Sequence, residues 1–211
     1  MKKSGKKEIF NSIRLMVFCG NPGRDYSRTR HNIPWLLLHF LDKGRLAWQK
    51  KFKGFYAAGG DILPGVILLK PMTFMNMTGE SIRPAAGFFR ISPAEILVCH
   101  DDIELDFGTV SFKFNGGSAG HNGLRSSSGT LGTNNFLRFR LGISRPSRGT
   151  VESHVLGRFT PHEEALLPDY MEAAAGLLRS AVTGDSDFDA SWNAAGNKNV
   201  LIQPQDTVKK G

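Results

Sequence analysis

Cysteine is nearly missing: the 211 residues hold two, Cys19 and Cys99, each closing a short apolar run. That pattern excludes a disulfide framework and suits free thiols in a reducing compartment, so a cytoplasmic protein is expected. Long apolar runs are missing too. No stretch approaches the roughly 20 apolar residues of a membrane-spanning helix. The apolar stretch after Lys2, Lys3, Lys6 and Lys7 is too short and interrupted for a signal peptide, and no membrane partner is expected. Acidic residues are in deficit, 19 against 27 lysines and arginines, which gives a net charge of +8 and a pI near 9.7. The excess argues for an anionic partner, with nucleic acid the commonest choice for a soluble basic protein. Three signatures of other chemistries are also lacking. No serine sits in a Gly-x-Ser-x-Gly elbow, no glycine loop ends in Gly-Lys-Ser/Thr, and no His-x-x-x-His or Glu-x-x-His spacing marks a metal site.

What is present suits one domain with a real core. Residues 1–12 read as a basic flexible tail, 13–195 as the folded domain and 196–211 as a flexible C-terminal tail. Apolar runs at Leu15 to Phe18, Val66 to Leu69 and Ile96 to Cys99, the alternating Val110, Phe112 and Phe114, and Arg138 to Ile143 read as strands. A hairpin is expected from Phe52 to Lys70. Helix starts are signalled at Asn32 before Pro34, where the helix closes near Gly44, and by capping boxes at Ser92-Pro93-Ala94-Glu95 and Thr160-Pro161-His162-Glu163. The second box opens a long helix through Leu178. Together these predict a single α/β domain: a twisted mixed sheet, mostly parallel, flanked by helices.

Four polar clusters stand at the ends of these elements: Asn21 to Asn32, Thr73 to Asn76, His100-Asp101-Asp102, and Gly116 to Gly123. Open α/β sheets bind ligands beyond the carboxyl ends of their strands, so the clusters are expected on one rim. A lone histidine such as His31 is more often a helix-entry residue satisfied locally. A carboxylate beside one ring nitrogen would instead fix its tautomer and free the other nitrogen to take a proton from water. Asp101 is the best placed carboxylate. Asp102 and Glu104 compete, but alternation along an extended segment sends neighbours to opposite sides. His100, Asp101, Asp102 and His121 carry metal-ligand chemistry without metal-ligand spacing, so no metal is expected. The Gly116 to Gly123 loop lacks the ending of a phosphate loop, and no cofactor is expected. Asn21, Asn76 and Asn122 each offer an uncharged donor and acceptor suited to a peptide main chain or a polarised carbonyl, although each alone is equally at home in a turn or cap.

In this order the clusters G-N-P-G-R-D-Y-S-R-T-R-H-N, K-P-M-T-F-M-N-M-T-G, H-D-D-I-E-L-D-F-G, F-K-F-N-G-G-S-A-G-H-N-G-L-R-S and L-G-T-N-N-F-L-R-F-R-L-G-I-S-R-P closely resemble the bacterial peptidyl-tRNA hydrolase family. The resemblance runs from about Leu15 to Pro146. It implies that His31 is the catalytic base, Asp101 its orienting carboxylate, and Asn21, Asn76 and Asn122 the substrate-holding amides. It further implies that Tyr26 and Met75 line the cleft and that Lys113 and Arg140 clamp the 5′-phosphate of tRNA. Two positions depart from the family pattern: Pro34 replaces a common glycine, and Phe18 stands in a usual Gly-Leu pattern. A small backbone difference without lost activity is expected.

The expected reaction is hydrolysis of the ester joining peptide to the tRNA 3′ end. His31 activates water and an asparagine, Asn21, stabilises the oxyanion. With Cys19 and Cys99 expected in the interior and no serine elbow, direct hydrolysis is simpler than a covalent acyl-enzyme. The expected partner is peptidyl-tRNA and the expected state a monomer. Two rivals are a catalytically silent RNA-binding or splicing-cofactor relative, separated by activity on peptidyl-tRNA, and a metal-dependent hydrolase, separated by chelation.

Overall fold

Strand β1 (Leu15–Phe18) is apolar at all four positions because both of its faces are covered. A strand buried on both sides reads as a continuous apolar run rather than an alternating one. The computed structural model describes residue 10, residues 12–184 and residues 198–200. Within them the remaining strands are β2 (Gln49–Lys51), β3 (Gly54–Ala58), β4 (Ile67–Pro71), β5 (Ile96–Asp102), β6 (Thr109–Phe114), β7 (Leu137–Gly142) and β8 (Lys198–Val200). They form one sheet in the order β2-β3-β4-β1-β5-β7-β6-β8. The four central strands β4, β1, β5 and β7 run parallel, and antiparallel pairs extend both flanks. The expected hairpin is the β3/β4 pair. The mixed sheet of the sequence reading is therefore present, with its parallel part at the centre.

Helices cover both faces. Leu15, Val17 and Cys19 join Leu69, Ile96 and Val98 under helix α2 (Gly79–Phe89), through Ile82, Ala85 and Ala86. Met16, Phe18, Leu97, Cys99 and Phe139 face the other way, under α1 (Ile33–Asp42) and α5 (Pro161–Thr183). The two cysteines thus belong to opposite faces of the sheet, which accounts for their being free although Cys19 N–H donates to Cys99 O at 3.1 Å. Burial pushes both thiols above their ordinary pKa.

Pro34 fits the first turn of α1, where its missing N–H costs nothing. The next residue, Trp35, donates from its indole to Phe18 O at 2.9 Å, tying α1 to the end of β1. Gly20 is required there, since a Cβ would lie 2.5 Å from that indole. Helix α3 (Asn122–Leu131) and the short α4 (Val151–Val155) are two further α-helices.

Two expectations change. The Ser92 box forms, with Ser92 N–H donating to Glu95 Oε2 at 2.8 Å, but it opens only one 3-10 turn, Pro93–Glu95. The run from Ile96 is claimed by the sheet, where every position through Asp101 is buried. Parts of the stretches expected as tails also belong to the fold. Phe10 is buried with its ring 4.9 Å from Phe112, and Lys198–Val200 pair with β6. The rest of both expected tails, residues 1–9, 11, 196–197 and 201–211, and the end of the expected domain, 185–195, lie outside the described residues.

Candidate active site

Asn21 follows β1, Met75 and Asn76 follow β4, and Asp101 lies near the end of β5, so three predicted clusters meet at the carboxyl edge of the parallel strands. They line a cleft of about 1040 Å³, together with His31, His121 and Asn122. His31 enters from the 3-10 turn Arg30–Asn32, and that turn is anchored firmly. Arg30 donates to Glu163 Oε2 and to Arg158 O, both at 2.6 Å, and its guanidinium lies over Phe159. Its main-chain N–H donates to Gly157 O at 3.0 Å.

The central interaction is His31 Nδ1–H donating to Asp101 Oδ1 at 2.7 Å. His121 Nε2–H donates to the same oxygen at 2.9 Å. The His121 tautomer follows from its other nitrogen: Nδ1 accepts from Leu124 N–H at 3.2 Å and caps α3, so the proton sits on Nε2. With Nδ1–H directed at the carboxylate, Nε2 is the basic atom of His31. Burial disfavours the His31 imidazolium, and the adjacent carboxylate outweighs it, so His31 titrates above its ordinary value. For Asp101, burial alone would raise the carboxyl; His31 and His121 hold it well below the usual carboxylate range. His121 is thus a helix cap and a partner of the central carboxylate at once, a double role no spacing in the chain signals.

Asp102 turns away from this centre, as alternation requires. Its Oδ2 accepts from Arg140 Nε at 2.7 Å and its Oδ1 from Glu104 N–H at 2.9 Å. His100 is buried against the His121 ring, centroids 5.0 Å apart, and its Nδ1–H donates to Asp101 O at 2.7 Å. Burial, and then the neighbouring His121, push His100 down to about 3, so it is neutral at physiological pH.

The asparagines differ in how they are held. Asn21 is clamped on its main chain by Asn32, which accepts from Asn21 N–H at 2.8 Å and donates to Asn21 O at 2.9 Å. Its side-chain oxygen accepts from Met75 N–H at 2.7 Å, which turns its amide nitrogen into the free donor. Asn122 begins α3, and its Oδ1 accepts from Arg125 Nη2 at 2.6 Å. Asn76 is exposed on the rim. Met75 is buried beneath it, close enough to α3 that a Cβ on Gly123 would lie 2.6 Å from its sulfur.

Lys113 and Arg140 lie on one face of neighbouring strands, as the pairings Lys113 with Arg138 and Ser111 with Arg140 show. Arg138 lies between them in this cationic wall and was missed as a site residue, although the Arg-Phe-Arg alternation places it beside Arg140. It is buried, and its guanidinium holds the carbonyls of Gly116 and Gly117. Lys113 has no ion-pair partner among the described residues, whereas Arg140 is paired to Asp102. Tyr26 is the one expected cleft residue outside the lining. It stands behind the rim, with its ring 6.3 Å from that of Phe74, which does line the cleft.

His31, Asp101 and His121 are also the described group that could gather around a metal ion. Their hydrogen bonding argues against that use. The nitrogens facing Asp101 carry the protons, and ligation needs their lone pairs. The ligand set weighed in the sequence, His100, Asp101, Asp102 and His121, does not converge, because Asp102 faces Arg140.

A peptidyl-tRNA hydrolase family profile matches residues 15–201. The peptidyl-tRNA hydrolase of Sorangium cellulosum is 44% identical over 185 residues, covering 85% of this chain and 82% of that protein. That of Treponema pallidum is 40% identical over 200 residues, covering 90% and 97%. The crystal structure of the Acinetobacter baumannii peptidyl-tRNA hydrolase superposes with a TM-score of 0.75 at 34% identity, covering 85% of this chain and 93% of that one. With the profile spanning nearly the whole described fold and these relatives aligned along most of their length, the chain belongs to the peptidyl-tRNA hydrolase family.

Proposed function

We propose that the protein hydrolyses the ester between the peptide carboxyl and the 3′ ribose hydroxyl of peptidyl-tRNA, with His31 as general base. The observation that carries this reading is the His31 Nδ1 to Asp101 Oδ1 bond of 2.7 Å in a cleft that also presents amide donors. Water bound at His31 Nε2 loses a proton to the ring as its oxygen attacks the ester carbonyl. The imidazolium so formed is stabilised by the Asp101 carboxylate. Asn21, with its oxygen committed to Met75, offers an N–H to the developing oxyanion. Collapse of the tetrahedral intermediate breaks the ester C–O bond, and the proton on His31 passes to the departing ribose oxygen. The products are a free peptide acid, which gives its proton to solvent and becomes the carboxylate, and a tRNA with its 3′ hydroxyl restored.

Lys113 and Arg140 take phosphate on the RNA side, which suits an enzyme that must accept every tRNA, because phosphate contacts position without reading sequence. Asn76, Asn122 and Met75 hold the peptide side, with Tyr26 supporting Phe74 from behind. The enzyme works as a cytoplasmic monomer without cofactor or metal. Among the described residues no helix is long and apolar enough to cross a membrane. A silent RNA-binding relative is not supported, since the matched family and relatives are named as hydrolases. The test is release of tRNA from purified N-blocked aminoacyl-tRNA in excess chelator. Undiminished release is expected, and loss on chelation that metal restores would move the reaction to a metal centre.

A further inference from the structure

An asparagine amide presents an oxygen on one side and a nitrogen on the other, and nothing in the residue itself decides which meets a ligand. At Asn122 a neighbour decides. Arg125 lies one turn further along α3, on the same helix face, and its Nη2 donates to Asn122 Oδ1 at 2.6 Å. A guanidinium has N–H donors and no acceptor, so it can face only the oxygen of that amide. Both residues line the cleft. The same logic operates across the cleft, where a main-chain N–H, equally unable to accept, occupies Asn21 Oδ1. Two asparagines from different elements are therefore turned in the same sense by two donor-only groups.

We propose that Arg125 is a positioning residue that locks Asn122 with its N–H donors toward the substrate, so that the cleft offers donors to the carbonyl oxygens of the peptide. The inference rests on the hydrolase reading. Without Arg125 the amide of Asn122 samples both orientations, and only one can hold a carbonyl. The ion pairs among the described residues give Arg125 no carboxylate partner, so its positive charge polarises the amide it holds instead of being spent on an anion.

A double-mutant cycle on turnover of N-blocked aminoacyl-tRNA tests this, with Arg125→Met, Asn122→Ala and the pair. Arg125→Met is expected to lower kcat/KM by about three- to tenfold, between the worth of an exposed helix pair and that of a charge-assisted hydrogen bond. The loss falls mainly on KM. Arg125→Lys, which keeps one charged donor, recovers most of it. The double variant matches Asn122→Ala alone, because Arg125 acts through Asn122. Losses that multiply in the pair would overturn the proposal. So would a reduction of about one in the salt slope of deacylated tRNA binding by Arg125→Met, which would make Arg125 a phosphate contact. Thermal melting of each variant accompanies the cycle; an Arg125→Met loss explained by unfolding at the assay temperature would likewise overturn it. Wild-type turnover in the same assay reports on the hydrolase reading separately, since an inactive wild type fails that reading before any variant is compared.

Discussion

At the scale of single residues, one carboxylate organises the site. Asp101 Oδ1 accepts from two imidazoles, which lower the pKa of Asp101, and its own charge in turn raises that of His31. The pH dependence follows with a definite sign. With His31 as the proposed base, activity is expected to fall as pH drops through a midpoint above the ordinary imidazole value, where the ring becomes protonated. Asp101→Asn keeps an acceptor oxygen for both rings but removes the charge. Burial then dominates, and the acid limb of kcat/KM is expected to move to lower pH while the maximal rate falls. A limb unchanged in position would mean that Asp101 does not set the His31 pKa. Much of this centre was legible in sequence: His31 stands at a helix entry and Asp101 near the end of an apolar strand, and alternation correctly sent Asp102 away. His121 was only half legible, since its contact with Asp101 spans two strands' worth of chain and arises from a fold-level approach of α3 to β5.

Elements set how well that geometry is held. The turn carrying His31 is fastened to α5 through Arg30 and Glu163, whose carboxylate also accepts from Thr160 N–H at 2.7 Å in the capping box. One side chain therefore stabilises a helix start and the turn that carries His31. Glu163→Ala leaves Arg30 largely buried without its anion and removes half of the cap. It is expected to cost about 2–4 kcal/mol, which lowers Tm by about 4–16 °C for a protein of this size. Differential scanning calorimetry checks the value, and kcat should fall with it as the turn loosens. A Tm within a degree of wild type would show that the pair is not holding the turn. The capping boxes also mark the limit of local reading. Thr160 and Ser92 carry the same signal, yet one opens 23 residues of helix and the other a single turn. What separates them lies downstream: Ile96 to Cys99 pair with β1 and β7 in the centre of the sheet, and that burial overrides the local start signal.

The whole molecule divides its charge unevenly. The cationic wall of Lys113, Arg138 and Arg140 carries one paired carboxylate, Asp102, and lies on the β6/β7 side of the cleft, whereas the β4 side presents Phe74, Met75, Asn76 and Met77. RNA is expected over the first wall and peptide over the second. Lys113→Ala should weaken binding of tRNA at low salt and reduce the salt slope of log affinity by about 0.7–0.9, the share of one neutralised phosphate. An unchanged slope, measured by titration from low to moderate ionic strength, would remove Lys113 from the RNA contact. At this scale the fold class was legible because β1, β4 and β5 each hold an apolar run and the helices Ile33–Asp42 and Pro161–Thr183 carry start signals, whereas Gly79–Phe89 has no side-chain cap to announce it. The strand order was not. It depends on which runs cover each other's faces, and nothing local in Leu137–Gly142 says that it pairs with β5 on one side and β6 on the other.

The central claim is that His31 takes the proton from the attacking water. It is tested most directly by single-turnover release of tRNA from N-blocked aminoacyl-tRNA by wild type and His31→Ala across pH 5 to 8. The account predicts a rate loss of about 10²–10⁴-fold, the usual worth of general-base catalysis, with the acid limb abolished and the melting temperature little changed. A folded His31→Ala protein that releases tRNA at the wild-type rate, with the same acid limb, would contradict it.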